Sequence, residues 1–458
     1  MNKYAYELQE HQKRVAEKMQ REDALLVYHT VGSGKTLSAL NAAKQLDMPL
    51  TVVGPASLKT NFAKEKAKHH INTDVKTFTY NKPPATSKGV VAFDEAHAMV
   101  NPGTKRSQYP DYIKGQKTMF LTGTPIRNAP SDLIPIMRGL GIKINKDPSE
   151  FNDQYIATVK KSPGFFARVF RGVEPGIEYH AKNLDKLKKQ LRGKVDYYKP
   201  SSENYPTTKE YDIKLEMSPE QESAYNMAMK QNPSLRYKIQ KGIAPSKSES
   251  KQMNAFMTAT RQISNIPGDY NLSSSIKDAP KIIRAAKEIE KRYKSDKNYR
   301  GTTYSSFIGH GVKPLGKLLK EKGIPYSMFI GKMGQKEKDE AVKNYNSGKV
   351  KQLLISGAGG EGLDLRGTKL LQILEPAWNE PRLAQVKGRA VRYKSHAALP
   401  ENERNVEIQN FIAVPREHGF IFKHRNMGTD QYLQMLSSHK KQLNDEFLNA
   451  LKEVGSGN

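Results

Sequence analysis

Short apolar runs alternate with amphipathic stretches through the first third of the chain: ALLVY (24 to 28), LTVVGP (50 to 55), GVVAFDEAH (89 to 97) and TMFLTGTP (118 to 125). Each is apolar at successive positions, as a strand buried on both faces must be, and the sequence between them, LSALNAAKQL for one, has helical spacing. Such alternation predicts a parallel sheet with helices on its faces. From about 150 to 278 the pattern changes to lysine- and serine-rich sequence with the helical segments PEQESAYNMAMKQ and KQMNAFMTATRQI, and GDYNLSSSIKDAP reads as a linker. Alternation then resumes in GTTYSSFI, PYSMFIG, KQLLIS, KLLQILEPA and EIQNFIAV. The tail from 430, DQYLQMLSSHKKQLNDEFLNALKEV, is expected to be an amphipathic helix packed on a lobe. The expected fold is α/β with two parallel-sheet lobes, 1–150 and 279–415, separated by a mainly helical insertion and linker, 151–278, and followed by a helical tail, 416–458. Within the insertion, a segment near 205–217 is a candidate for return to the first lobe.

The first strand runs into HTVGSGKT, residues 29 to 36, and a helix follows. The strict phosphate-loop pattern places glycine where this chain has His29, but Gly32, Ser33, Gly34, Lys35 and Thr36 keep the rest of it. Glycines let backbone N–H groups converge on an anion at a helix start, a lysine reaches the outer phosphates, and a threonine hydroxyl can join Mg²⁺. The second element is FDEAH, at the end of an apolar run. Asp94 at a strand end suits Mg²⁺, and Glu95 beside it can orient or deprotonate a water. Two acids in a row are common on any surface; beside a phosphate loop on the same sheet they indicate a nucleotide site.

Composition adds a second partner. The 458 residues carry 75 Lys and Arg against 47 Asp and Glu, a net charge of +28 spread along the chain. That excess points to a polyanion, most simply nucleic acid. Cysteine is absent, so disulfides and thiolate zinc sites are excluded. The start MNKYAYELQEHQKR lacks an apolar signal core and no apolar run reaches membrane-spanning length, so an unanchored cytoplasmic protein is expected, in a host cytoplasm if the source is viral or phage.

Taken in order, these motifs resemble those of superfamily 2 helicases over nearly the whole chain. GPASLKTNFAKE resembles motif Ia, LTGTPIRNAPSDL motif III, YSSFIGHGVKPLGKLLKEKGIPYSMFIGKMGQ motif IV and its surroundings, and LLISGAGGEGLDLRGTKLLQILEPAWNEPRLAQVKGRAVR motifs V and VI. The forms PASL and LTGTPIRN are those of the Swi2/Snf2-type branch, as are LEMSPEQESAY and ATRQISNIPG in the insertion. The chain departs from the chromatin remodellers, whose loop reads DEMGLGKT, and has YKSH after Arg392 where they have glycine and glutamine. Its compactness is closer to the viral and phage members.

The resemblance implies RecA-like lobes, ATP with Mg²⁺, and specific roles. Gln12 would read adenine, Arg389 and Arg392, three apart on one helix, would reach a γ-phosphate, and Gln385 would position that helix or the phosphate. Ser57, Lys59, Thr122, Thr124, Ser305 and Ser356, short polar groups and a lysine at strand ends, would meet nucleic-acid phosphates without reading bases. Asp364 is expected at the ribose or motif VI, and Trp378 in packing rather than base stacking. The function so implied is an ATP-dependent DNA helicase or translocase that remodels forks or junctions in replication, recombination or repair. The alternatives are a viral-type DNA-dependent NTPase of transcription and a duplex translocase that displaces proteins.

Overall fold

The structure, a computed structural model, describes residues 8–457 except 31, 56–57, 100–103, 114, 162–175, 201–204, 247, 269–274, 358–362, 364, 378–379, 393 and 419–425, and leaves out the side chains of 58–60, 251, 380–382 and 385. The chain forms two compact units: Met1–Thr158 with Tyr179–Ser201 and Lys440–Asn458, and Val159–Glu178 with Ser202–His439.

The first unit is built on β1 (Ala24–His29), β2 (Leu50–Gly54), β3 (Val75–Thr79), β4 (Val90–Asp94) and β5 (Lys117–Thr122). β6 (Ile156–Lys161) and β7 (Gly176–Ala181) form a separate two-stranded sheet, β8 (Val195–Tyr198) follows, and the main sheet runs β3-β2-β4-β5-β1-β8 with parallel neighbours. Alternate side chains feed two cores, as a pleated strand requires. Leu25 and Val27 of β1 join Val15, Ala16 and Met19 of α1 (Glu10–Arg21) and Leu37, Leu40 and Ala43 of α2 (Lys35–Gln45). Leu26 and Tyr28 face the other way, towards Ile134, Met137, Phe151, Leu187, Phe447 and Leu451. The parallel register puts the carboxyl ends of β1, β4 and β5 at one edge of the sheet, where ligands bind in such folds.

The second unit repeats the plan. Strands β9 (Thr207–Glu216), β10 (Gly301–Ser305), β11 (Tyr326–Phe329), β12 (Gln352–Ser356), β13 (Leu370–Ile373) and β14 (Asn405–Val414) form a parallel sheet in the order β11-β12-β10-β13-β14-β9. Leu353 and Ile355 pack on one face with Tyr345 and Val386; Leu354 packs on the other with Ile282, Ile289 and Leu315. The helices Pro219–Met229, Pro233–Lys241 and Glu249–Asn265 share a separate core with Tyr432 and Leu433. There the start of the C-terminal helix Thr429–Ser456 is fixed by a buried ion pair, Lys281 Nζ to Asp430 Oδ2 at 2.6 Å, with Ala413 N–H on the same oxygen at 2.9 Å.

Two α/β lobes with parallel sheets are thus as expected. The insertion is less helical than its composition suggested: it contains β6 to β9, and β8 belongs to the first sheet. The segment near 205–217 joins the second sheet, not the first lobe: β9 lies parallel to β14 from Asn405↔Thr207 to Val414↔Glu216. Its side chains are mostly exposed, so the strand has no apolar signature and only its neighbour reveals it.

Phe447, fully buried, lies 6.0 Å from Phe151 between ring centroids. Phe447→Ala should destabilise the first unit by about 3–5 kcal/mol. Denaturant unfolding checks this, and a loss under about 1 kcal/mol would show that the end of the last helix is not part of that core.

Candidate ATP site

β1 continues in register through His29, which pairs with Tyr198 of β8. The position that a strict phosphate loop gives to glycine is here a strand residue, and extended backbone accepts a side chain. The turn itself is made by Gly32 (φ 86°) and Gly34 (φ 78°), where left-handed backbone favours glycine. A Cβ on Gly34 would also lie 2.6 Å from the amide nitrogen of Gln12, so the α1 glutamine is packed directly against the loop. Gln12 is buried and its Oε1 accepts Gln9 N–H at 3.1 Å. Gly34 caps α2 with no side-chain bond to the helix start among the described residues, which leaves a place for an anion at its first N–H groups.

Lys35, half-buried, donates from Nζ to the carbonyls of His29 (3.0 Å) and Thr30 (3.4 Å). Burial lowers its pKa, and Glu95 and Asp94 oppose that shift. Asp94 is 4% exposed at the end of β4. Burial and the neighbouring Glu95 push its carboxyl up to about 6, against the opposing Glu95 N–H bond (2.8 Å) and Lys35. Glu95 sits at φ 50°, a conformation costly for a residue with a Cβ and one that recurs where function demands a sharp turn. His97 Nδ1 lies 3.3 Å from Glu95 Oε2, 3.1 Å from Thr122 Oγ1 and 3.3 Å from Thr124 Oγ1. One imidazole therefore joins the β4 acids to the loop after β5. That loop is fixed by Asp132, whose Oδ2 receives the N–H groups of Arg127, Asn128 and Ala129.

These residues fit a nucleoside triphosphate and its Mg²⁺. Ser33 Oγ is buried without a partner among the described residues, Thr36 Oγ1 is engaged only weakly by Asn61 at 3.3 Å, and Asp94 offers a carboxylate beside them. Mg²⁺ held by one carboxylate, one hydroxyl, phosphates and water is the usual arrangement.

Other expected site residues divide. Thr122 is fully buried and accepts Thr124 N–H (3.0 Å), and Ser305 is fully buried with its hydroxyl on Glu375 (2.9 Å). Ser356 is 1% exposed. In this structure all three hydroxyls are internal: Thr122 and Ser305 hold neighbouring loops in place, and Ser356 Oγ has no partner among the described residues. Thr124 alone of the described group is exposed. Arg389 is in the last turn of the helix Glu380–Ala390, but Arg392 lies beyond its end, in a turn closed by Arg392 N–H on Ser395 Oγ (3.3 Å) and Ser395 Oγ–H on Arg392 O (2.7 Å). The expected single helical turn between the arginines is therefore not formed. Ser57, Asp364, Trp378 and the side chains of Lys59 and Gln385 lie outside the described residues. Sequence reasoning missed His11, His97, Asp196, Tyr198 and Glu375; His97 alone had a signal, being part of DEAH.

The SNF2-related domain family model matches residues 79–269, and that of the helicase conserved C-terminal domain matches 285–394. The chain is 31% identical over 466 residues to a putative ATP-dependent RNA helicase of Acanthamoeba polyphaga mimivirus, covering 95% of this chain and 94% of that protein. It is 25% identical over 549 residues to a termination factor NPH-I homolog of African swine fever virus, with 94% and 75% covered. Among solved structures it is similar to the SWI2/SNF2 ATPase core of Sulfolobus solfataricus in complex with dsDNA, at 18% identity and a TM-score of 0.36, over 90% of this chain and 89% of that one. The class is an ATP-hydrolysing helicase or translocase built on two RecA-like lobes. Within it, the chain belongs to the Snf2-type branch of superfamily 2 and has viral relatives. No helix among the described residues is long and apolar enough to cross a membrane.

The raised pKa of Asp94 sets a stability test. Its folded value, about 6, exceeds the ordinary 3.8, so the folded state binds the extra proton and wild-type stability falls as pH rises from about 4 to 6. Above that window the cost is constant. Asp94→Asn keeps the acceptor for Glu95 N–H but removes the charge. It should stabilise the nucleotide-free protein by about 1–3 kcal/mol at pH 8, with no gain below pH ~4, while abolishing hydrolysis. Thermal unfolding at the two pH values checks it; equal effects at both would refute the assignment of strain to this charge.

Proposed function

We propose that the chain is a nucleic-acid-stimulated ATPase that steps along DNA backbone and uses the motion to remodel branched DNA, such as forks and four-way junctions. The observation that carries the motor assignment is the convergence of Lys35, Asp94 and Glu95 on one sheet edge, with His97 joining Glu95 to the loop of Thr124. In this reading Lys35 exchanges its bonds to the His29 and Thr30 carbonyls for the outer phosphates. Asp94 and Thr36 would hold Mg²⁺, which would supply charge neutralisation. Glu95 orients the attacking water, and His97 reports the state of Glu95 to the loop after β5. By their resemblance to motif VI, Arg389 and Arg392 are the candidates to offset the negative charge of the transferring phosphoryl group. The net charge of +28 supports a polyanionic track gripped without base readout.

Branched DNA is favoured on energetic grounds. At a junction each pair broken is replaced by one formed, so the motor need only bias direction, whereas unwinding plain duplex costs about 1.4 kcal/mol of stacking per step. A second reading is favoured by one observation: the African swine fever virus termination factor homolog aligns over 94% of this chain. In that reading the same motor acts on DNA during transcription, and collapse of a transcription bubble is likewise a balanced exchange.

ATPase rates are to be measured with no nucleic acid, single strands, duplex, RNA, forks and mobile junctions, with strand products resolved on gels. DNA stimulation and faster product from junction or fork than from blunt duplex are expected, and Glu95→Gln should reduce turnover by about 10²–10⁴-fold with nucleotide still bound. No product from either branched substrate, with ATP-dependent transcript release from stalled elongation complexes, would replace the first reading with the second. Stimulation by RNA alone would contradict both.

A further inference from the structure

Asp196, the second residue of β8, is fully buried and gathers three basic side chains. Arg14 Nε donates to Oδ1 at 2.6 Å with Lys18 Nζ 3.0 Å from the same oxygen; Arg14 Nη2 (3.1 Å) and His29 Nε2 (2.6 Å) meet Oδ2. Burial pushes this carboxyl up, but the bonds from His29 and Arg14 and the charge of Lys18 outweigh it and hold it well below the usual carboxylate range. A carboxylate with that many donors stays ionised and fixes whatever holds it.

The partners all lead to the phosphate loop. Arg14 and Lys18 are one turn apart on α1 and also bond β8 backbone, at Tyr197 O (3.0 Å) and Val195 O (3.0 Å). The same helix carries His11, whose Nε2 is 2.8 Å from Ser33 O and whose ring stacks on Tyr198 at 3.5 Å, and Gln12, which abuts Gly34. β8 accepts Thr30 N–H at Tyr198 O (3.1 Å). His29 itself presents its carbonyl to Lys35 (3.0 Å). Burial lowers the pKa of the His29 ring, with the Asp196 hydrogen bond opposing, so a neutral imidazole gives its Nε2–H to Asp196. Its Nδ1 has no partner among the described residues. A fully buried imidazole with one unpaired nitrogen is a cost that an apolar side chain would avoid, so its value lies in the bond to Asp196.

We propose that Asp196 is a positioning residue for nucleotide binding: by clamping His29 and α1 to β8 it sets the phosphate loop and Lys35 in the geometry that receives a nucleoside triphosphate. It does not touch the nucleotide. The loop lacks its first glycine because this end of it is anchored by a side chain on a neighbouring strand.

The test uses the full chain with Asp196→Asn, which keeps the shape and removes the charge. A fluorescent ADP derivative measures nucleotide affinity directly, and the KM and kcat for ATP, the affinity for duplex DNA without nucleotide, and the thermal midpoint are read in parallel. The Kd for the ADP derivative and the KM should rise together by about tenfold or more, with kcat and DNA affinity within about twofold of wild type. Asp196→Glu, which restores the charge, should recover part of the affinity. Arg14→Gln removes a partner that is 35% exposed, leaves a folded protein, and should shift the same two constants in the same direction. Nucleotide affinity within twofold of wild type in Arg14→Gln, and in Asp196→Asn if that folds, would overturn the proposal. So would a parallel loss of nucleotide affinity, DNA affinity and thermal midpoint, the mark of a purely structural residue. Because nucleotide binding is read without a DNA substrate, failure of the branched-DNA reading leaves this test intact.

Discussion

In the first unit a lysine and two carboxylates, Lys35, Asp94 and Asp196, lose solvent towards the carboxyl ends of one parallel sheet, and much of the surrounding polar structure serves to satisfy them. Charge in that setting has to be paired or neutralised. The two carboxylates solve the problem in opposite ways. Asp196 is saturated with donors and stays ionised. Asp94 has one backbone N–H and an acidic neighbour, so its carboxyl is pushed up to about 6. A saturated carboxylate is an anchor; an under-satisfied one is a place for a cation. The difference in satisfaction separates architecture from chemistry within a single sheet edge.

The second unit uses the same device without strain on a nucleotide. Glu375, 1% exposed, accepts from Asn265 Nδ2 (2.7 Å), Ser305 Oγ (2.9 Å) and Ser306 N–H, and so fastens the long insertion helix to the ends of β10 and β13. Arg261, one turn before Asn265, donates to Pro376 O (2.9 Å) and stands over the Phe307 ring at 5.1 Å. These bonds to Glu375 and Pro376 O hold the insertion helix in one docking geometry, while Asn265 Oδ1 and Arg261 Nε have no partner among the described residues. The bond to Glu375 explains why Ser305, a residue of a nucleic-acid motif by resemblance, is internal.

What the sequence revealed follows from what carries a local signal. Strands β1, β2, β4, β5, β10, β12, β13 and β14 are buried runs, and both α/β lobes were legible from them. β9 was not, because Thr207–Glu216 is an exposed edge whose identity comes from a strand almost two hundred residues away. β8 was not, because it has only four residues, VDYY, three residues after a lysine-rich helix, too short a run to stand out as a strand. Lys35, Asp94 and Glu95 stood out as candidates because phosphate binding demands fixed local spacing, and the structure places Lys35 close enough to both acids for their charges to act on it. Asp196 has no such spacing: its partners lie 182, 178 and 167 residues away in the chain, and only the parallel register of β8 on β1 brings them together.

The proposed ATP site is the turn between β1 and α2, with His29 in place of its first glycine. Calorimetric titration of the wild-type chain and of Lys35→Ala with a non-hydrolysable ATP analogue and Mg²⁺ tests it most directly. One site is expected in the wild type, with an affinity loss of at least about tenfold on removal of the ammonium, as a lost charge-assisted contact to phosphate requires. Equal affinity in the two proteins would contradict it and move the nucleotide elsewhere.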